Sequence, residues 1–148
     1  GVFEMISAKL ADRMGFEALY MTGYGTVASH LGMPDAGLAT YTDMVNRVSQ
    51  FAQITQTPMI CDGDTGYGNA LNVQRTVVEY ARAGAACVMI EDQVSPKKCG
   101  HTRGKQVVSR AEARMRARGF SPCALPNSAL PISTPAALST MPLELPPV

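Results

Sequence analysis

Net charge is the first thing this 148-residue sequence lacks: thirteen Lys and Arg stand against twelve Asp and Glu, leaving +1. So small an imbalance gives no electrostatic reason to expect nucleic acid or an acidic membrane as a partner. Long apolar runs are missing too. No stretch reaches the roughly eighteen residues of a membrane-spanning helix. The first residues, GVFEMISAKLADRMG, carry charges throughout, unlike a signal peptide. Cysteine is sparse, and the four positions (Cys61, Cys87, Cys99, Cys123) suggest no disulfide framework, so a reduced, cytoplasmic protein is expected. Cys99 and His101 match none of the usual zinc spacings. Eight of the thirteen cationic residues fall between Lys97 and Arg118, yet no aromatic interleaves with them, which argues against a single-stranded nucleic-acid surface. A lid over an anionic substrate, with glycines at 100 and 104 to let it close, followed by a solvated helix face, accounts for that run better.

What is present is a repeated grammar. Glu4–Met14 reads as a helix with no cap or lead-in, its Ile6, Leu10 and Met14 on one face and Gly15 ending it. Ala18–Thr22 reads as a buried strand running into a Gly23-Tyr24-Gly25 turn. Thr26–Leu31 supplies one or two helical turns closed by Gly32, and Leu31–Asp35 is loop because Pro34 disfavours helix before it. Thr42–Thr55 is a helix capped by Thr40 or Thr42, burying Met44, Val45, Val48, Phe51 and Ala52. Pro58–Cys61 is a strand. The next helix, capped by Asn69 or Asn72, carries a Val73, Val77, Tyr80, Ala81 stripe and ends at Gly84. Ala85–Ile90 is a strand, and Ser109 caps a helix to about Arg118. Strands alternating with helices imply βαβ units and a parallel sheet, either open and doubly wound or closed as a barrel.

Two patches stand out. Cys61–Asn69 reads CDGDTGYGN, and Glu91–Lys105 reads EDQVSPKKCGHTRGK. Each begins where an apolar run ends in carboxylates. Strand alternation would aim Asp62 and Asp64 at the same face. Parallel α/β folds place their active sites at the C-terminal ends of their strands, so the chemistry is expected here.

The patches, in order with Tyr20-Met21-Thr22-Gly23-Tyr24 and Leu31-Gly32-Met33-Pro34-Asp35, resemble the isocitrate lyase and phosphoenolpyruvate mutase superfamily. The resemblance is nearest to its 2-methylisocitrate lyase, 2,3-dimethylmalate lyase and oxaloacetate decarboxylase members, and it runs from Gly1 to about Ala113. It implies the first four βα units of a TIM-like (β/α)₈ barrel, homotetrameric relatives, and Mg²⁺ (or Mn²⁺) at the mouth. Asp62 and Asp64 would then hold the metal, Glu91 would reach it through water, and Asp35 would lie in its outer shell or simply in a loop turn. Cys99 resembles the family's proton-delivering thiol, in a positive field from Lys97, Lys98 and His101. His101 is read as orienting the loop in preference to moving protons. Gly100 allows close backbone approach to a ligand, or marks a φ > 0 turn. Thr22, Gly23 and Tyr24 would hold a 2-oxo acid carboxylate. Tyr20 would take the substrate's hydroxyl proton, unless it is a core tyrosine.

The activity this implies is Mg²⁺-dependent cleavage of a small 2-hydroxy carboxylate to a 2-oxo acid and a carboxylate. Phosphonomutase chemistry, oxaloacetate decarboxylation and a non-catalytic half-barrel are the alternatives. Residues 119–148 hold seven of the ten prolines and a single charged residue, Glu144, and read as a second, irregular region after the 1–118 half-barrel. The family's Arg-Thr-Asp segment is missing there, and a shifted reading frame is the expected cause.

Overall fold

Two reciprocal caps decide where the longest helices begin. In a computed structural model, which describes residues 1–118, Thr40 accepts from the backbone of Asp43, whose carboxylate answers to the Thr40 N–H at 2.8 Å. Asn69 and Asn72 make the same exchange. Each cap satisfies two helix-end donors that have no partner within the helix. The resulting helices are α3 (Tyr41–Ile54) and α4 (Ala70–Ala83), the latter stopped by Gly84 in the left-handed region. Around them lie α1 (Met5–Arg13), α2 (Gly23–Leu31) and α5 (Arg110–Arg118), with strands β1 (Leu19–Met21), β2 (Met59–Asp62) and β3 (Cys87–Met89). Among the described residues no helix is long and apolar enough to cross a membrane.

The strands form a parallel sheet in the order β1-β2-β3, with Tyr20 opposite Ile60 and Ile60 opposite Cys87. Val2 adds a fourth parallel position beside Met21, its N–H donating to Tyr20 O at 2.7 Å. Among the described residues, helices cover one face only. Leu19, Met21, Met59 and Cys61 point into a core shared with Met44, Val48, Phe51 and Tyr80. Each such side chain contributes about 1.5–3 kcal/mol by leaving water. On the other face Tyr20, Ile60 and Cys87 are half-buried and Met89 is exposed.

Several expectations need correcting. Glu4 does cap α1, accepting from Ile6 N and Ser7 N, because a carboxylate can satisfy two orphan donors at once. The α1 stripe of Ile6, Leu10 and Met14 faces solvent, and Ala8 on the opposite side is the buried residue. Periodicity identified the helix but not the side that meets the sheet. The Gly23-Tyr24-Gly25 segment is no turn: it is the first turn of α2, with extended Thr22 at its N-cap. The backbone there packs too closely on its neighbours for larger residues, and that outweighs glycine's poor helix propensity. Asp64 is not on a strand face. The strand ends at Asp62, and Asp64 adopts φ +54 in the following turn. Of the expected α3 set, Met44, Val48 and Phe51 are buried while Val45 and Ala52 are half-buried. The expectation for residues 119–148 falls outside the described residues.

Candidate active site at the C-terminal end of the sheet

Three polar knots close the C-terminal end of the sheet. The first is built on Asp62, which ends β2. Its Oδ2 accepts from the Tyr20 hydroxyl and from the Gly23 N–H, each at 3.2 Å, and its Oδ1 accepts from Asp64 N at 2.8 Å. Glycine is required at 23, because a Cβ there would lie 2.5 Å from Asp62 Oδ2. The positive end of α2 thus rests on a carboxylate, a favourable arrangement of charge. From behind, the Tyr80 hydroxyl donates to Asp62 O at 3.2 Å and lies 2.9 Å from the Tyr67 hydroxyl.

The second knot is ionic. Lys97 Nζ lies 2.8 Å from Asp35 Oδ1 and 3.1 Å from Asp64 Oδ2, and its side chain is only 4% exposed. Burial alone would pull the ammonium's pKa down, but its bonds to Asp35 and Asp64 outweigh that and raise it. Burial pushes Asp64 upward despite Lys97, since one ammonium serves two carboxylates. The third knot is Glu91, whose Oε2 accepts from Gln93 Nε2 at 2.5 Å. Burial raises Glu91 as well, with Asp62 and Asp64 adding repulsion.

The loop from Gln93 to Val107 crosses this end. A bridge between those two residues closes its stem, reinforced by Val94 N donating to Gln106 O at 3.0 Å. Cys99 is half-buried in the loop, its carbonyl accepting from Thr102 N and Oγ1. His101 sits at the tip with its ring edge-on to Tyr24, centroids 6.2 Å apart. The two border a cleft of about 430 Å³ lined also by Phe3, Thr22 and Ala28. Gly100 has open space around its Cβ position and no positive φ, so the φ > 0 turn considered for it is not formed.

The expected residues therefore gather at one end of the sheet, but in separate groups. Tyr20, Gly23 and Asp62 meet; Asp35, Asp64 and Lys97 meet; Tyr24 and His101 meet. Burial, followed by the Asp62 charge, raises the Tyr20 pKa. The phenol donates to Asp62 here. Gly23 spends its N–H on Asp62 instead of offering it to a substrate. Lys97 is a buried tie more than a source of open positive field. Sequence reasoning passed over Gln93, which is 6% exposed and bonded at every amide atom. Its spacing of two from Glu91 was the available signal. The Tyr67–Tyr80 pair was missed as well, with Tyr80 read only as part of an apolar stripe.

Four carboxylates and one buried ammonium give this end of the sheet a hard-oxygen, net negative donor set. That donor chemistry fits Mg²⁺ or Mn²⁺. Among the described residues, however, no three His, Cys, Asp or Glu side chains converge as a ready-made metal cluster.

The phosphoenolpyruvate phosphomutase family model matches residues 1–122. The 2,3-dimethylmalate lyase of Eubacterium barkeri is 54% identical over 112 residues, which is 76% of this chain and 39% of that protein. A 2-methylisocitrate lyase of Aeropyrum pernix is 50% identical over 109 residues, covering 74% of this chain and 35% of that one. Phosphonopyruvate hydrolase, solved in complex with oxalate and Mg²⁺, superposes with a TM-score of 0.70 at 28% identity over 80% of this chain and 40% of its own. The chain thus spans well under half the length of these relatives.

Proposed function

This chain belongs to the phosphoenolpyruvate mutase and isocitrate lyase superfamily, and from that premise we propose that Gly1–Arg118 supplies half of the active site of a Mg²⁺-dependent carbon–carbon lyase. The substrate is a 2-hydroxy carboxylate of the 2-methylisocitrate or dialkylmalate type, and the products are a 2-oxo acid and a carboxylate. The observation that carries this reading is the placement of Asp62, Asp64 and Glu91 at the C-terminal end of a parallel sheet, with Asp35 and Asp64 tied to buried Lys97. Active sites of such barrels lie at that end.

Asp62, Asp64 and Glu91 would hold the metal, with Asp35 behind them. When bound, the ion supplies positive charge to offset that of the substrate's carboxylate and hydroxyl oxygens. The chain's own groups do the rest. Tyr20, holding its proton, offers a hydrogen bond at the Asp62 side. Thr22 and Tyr24, at the start of α2, flank the place where a substrate carboxylate would lie. The reaction breaks a carbon–carbon bond: the hydroxyl gives its proton to a carboxylate of the cluster, and the bonding electrons move to the departing carbon. Cys99 then delivers a proton to that carbon. His101, edge-on to Tyr24, holds the loop tip over the cleft.

A cleavage that leaves a carbanion needs an acid, so a cysteine on the covering loop favours such a cleavage over phosphonomutase chemistry. The test replaces the matching residues of the E. barkeri enzyme with Gly1–Arg118 and assays 2,3-dimethylmalate cleavage with Mg²⁺. Turnover is expected, and Cys99→Ser should lower kcat by roughly 10²–10⁴ with little change in substrate affinity. A folded chimera without turnover would favour the non-catalytic alternative. Unchanged kcat in the serine variant would remove Cys99 from the reaction.

A further inference from the structure

A buried amide with both N–H groups and its oxygen engaged fixes whatever it touches, and Gln93 is such a group. It is 6% exposed. Its Nε2 donates to Glu91 Oε2 at 2.5 Å and to Lys98 O at 3.0 Å, while its Oε1 accepts from Lys98 N at 3.2 Å. The partners dictate which way round the amide sits: reversed, its oxygen would face a carboxylate and a carbonyl. The Gln93 backbone is itself fixed, because it pairs with Val107 at the stem of the loop.

We propose that Gln93 is a positioning residue that links the Glu91 carboxylate to the loop carrying Cys99, so that acid and thiol are set in place together. Both peptide groups of Lys98 are held by one side chain, and Cys99 is the next residue along. On the other side of Lys98, Lys97 is tied to Asp35 and Asp64. The backbone leading into the thiol is therefore pinned from two directions. Of the two ties, only Gln93 also touches Glu91. Displacing that carboxylate, as a ligand at the cluster would, removes one of the amide's partners and loosens its hold on Lys98. The length of the side chain is specific: Asn is one methylene short, and Glu would place a second carboxylate against Glu91 with no donor to offer.

What this means for catalysis rests on the lyase reading, but the placement itself is tested without turnover. Purified Gly1–Val148 is treated with iodoacetamide, and labelling is followed peptide by peptide by mass spectrometry, with half-buried Cys87 as the internal reference. Gln93→Met keeps the volume and removes the bonds. It should raise the Cys99 labelling rate about tenfold and leave Cys87 unchanged, the response of a local opening that has lost its hydrogen bonds. Tryptic cleavage after Lys98 should accelerate with it. Gln93→Glu should behave likewise, and Glu91→Leu should raise the Cys99 rate by a smaller factor.

A Cys99 rate in Gln93→Met equal to wild type makes Gln93 a space-filler and overturns the proposal. A wild-type Cys99 that labels as fast as in urea does the same. If Gln93→Met loses its melting transition, Glu91→Leu carries the test, since Gln93 is intact there. An unchanged Cys99 rate in that variant removes the link to the acid. Loss of turnover in the chimera with this labelling pattern intact would count against the lyase reading alone.

Discussion

The loop after β2 and the loop after β3 lie side by side and are built on opposite plans. Asp62–Asn69 is bonded from in front and from behind. Tyr20 and Gly23 hold its first carboxylate, Tyr80 holds its backbone, and Thr76 donates to Gly66 O at 3.1 Å. Its positive φ angles at Asp64 and Tyr67 persist because the surroundings over-determine them. Gln93–Val107 is bonded mostly to itself: Lys105 Nζ reaches Gly100 O at 2.7 Å and Lys98 Nζ reaches Gly104 O at 3.1 Å, both exposed. Among the described residues its polar ties to the rest of the molecule come from Lys97 and Gln93, and His101 adds an edge-on contact with Tyr24. The rigid loop carries the carboxylates that must keep their places. The lightly fastened one carries Cys99 and His101, which on the proposed lyase reading would approach a substrate and then let product go.

Lys97 joins the two loops, so removing it should have the largest effect. Lys97→Met leaves Asp35 and Asp64 buried without a cation and should cost about 3–5 kcal/mol of stability in urea denaturation. Adding Asp64→Asn should restore part of that loss. A cost below about 1 kcal/mol would mean that the pair is solvated and the two loops independent.

Gly23→Ala strikes the front of the rigid loop. The new Cβ would overlap the Asp62 carboxylate, and the strain should cost about 1–3 kcal/mol. Thermal melting is the measurement, and an unchanged midpoint would show that Asp62 moves freely.

Tyr80→Phe removes the support behind the same loop and should cost about 1 kcal/mol. Burial raises both the Tyr67 and Tyr80 pKa values. For a group raised on folding, the stability contribution is full below its unfolded pKa, ordinarily 10.0 here, and is lost as pH rises through the folded value. The melting temperature should therefore fall above about pH 10, and less steeply in Tyr67→Phe/Tyr80→Phe. Parallel slopes would mean that the phenols are not buried.

Gly100→Ala tests the tip of the lightly fastened loop. No atom lies within 4 Å of the added methyl, so stability should stay within about 0.5 kcal/mol of wild type. A larger loss would show that the tip packs as tightly as the rigid loop does.

Much of this arrangement is legible in the sequence. The apolar periods located all three strands and the helices around Val48 and Val77, because burial on one side imprints itself on spacing; at α1 the period marked the helix though its stripe faces solvent. Thr40, Asn69 and Gly84 were readable as caps because the chemistry at helix ends is local. The alternation argument failed at Asp64, since it presumes that the strand continues. The chain instead turns at Gly63, where a Cβ would meet Ile90 and Val88. Helix propensity failed at Gly23 for a related reason: the deciding neighbour, Asp62, lies 39 residues away.

What the sequence by itself determined is the βα order, the end of the sheet at which polar groups collect, and the family to which those motifs belong. Each is written in short-range spacing and residue type. Only the tertiary structure decided how the polar groups divide: Asp62 with Tyr20 and Gly23, Lys97 between Asp35 and Asp64, Gln93 between Glu91 and Lys98. Hydrogen bonds and ion pairs are directional and short-ranged. A carboxylate's partner is therefore fixed by the packing of helices and strands far apart in the chain, which no local pattern records.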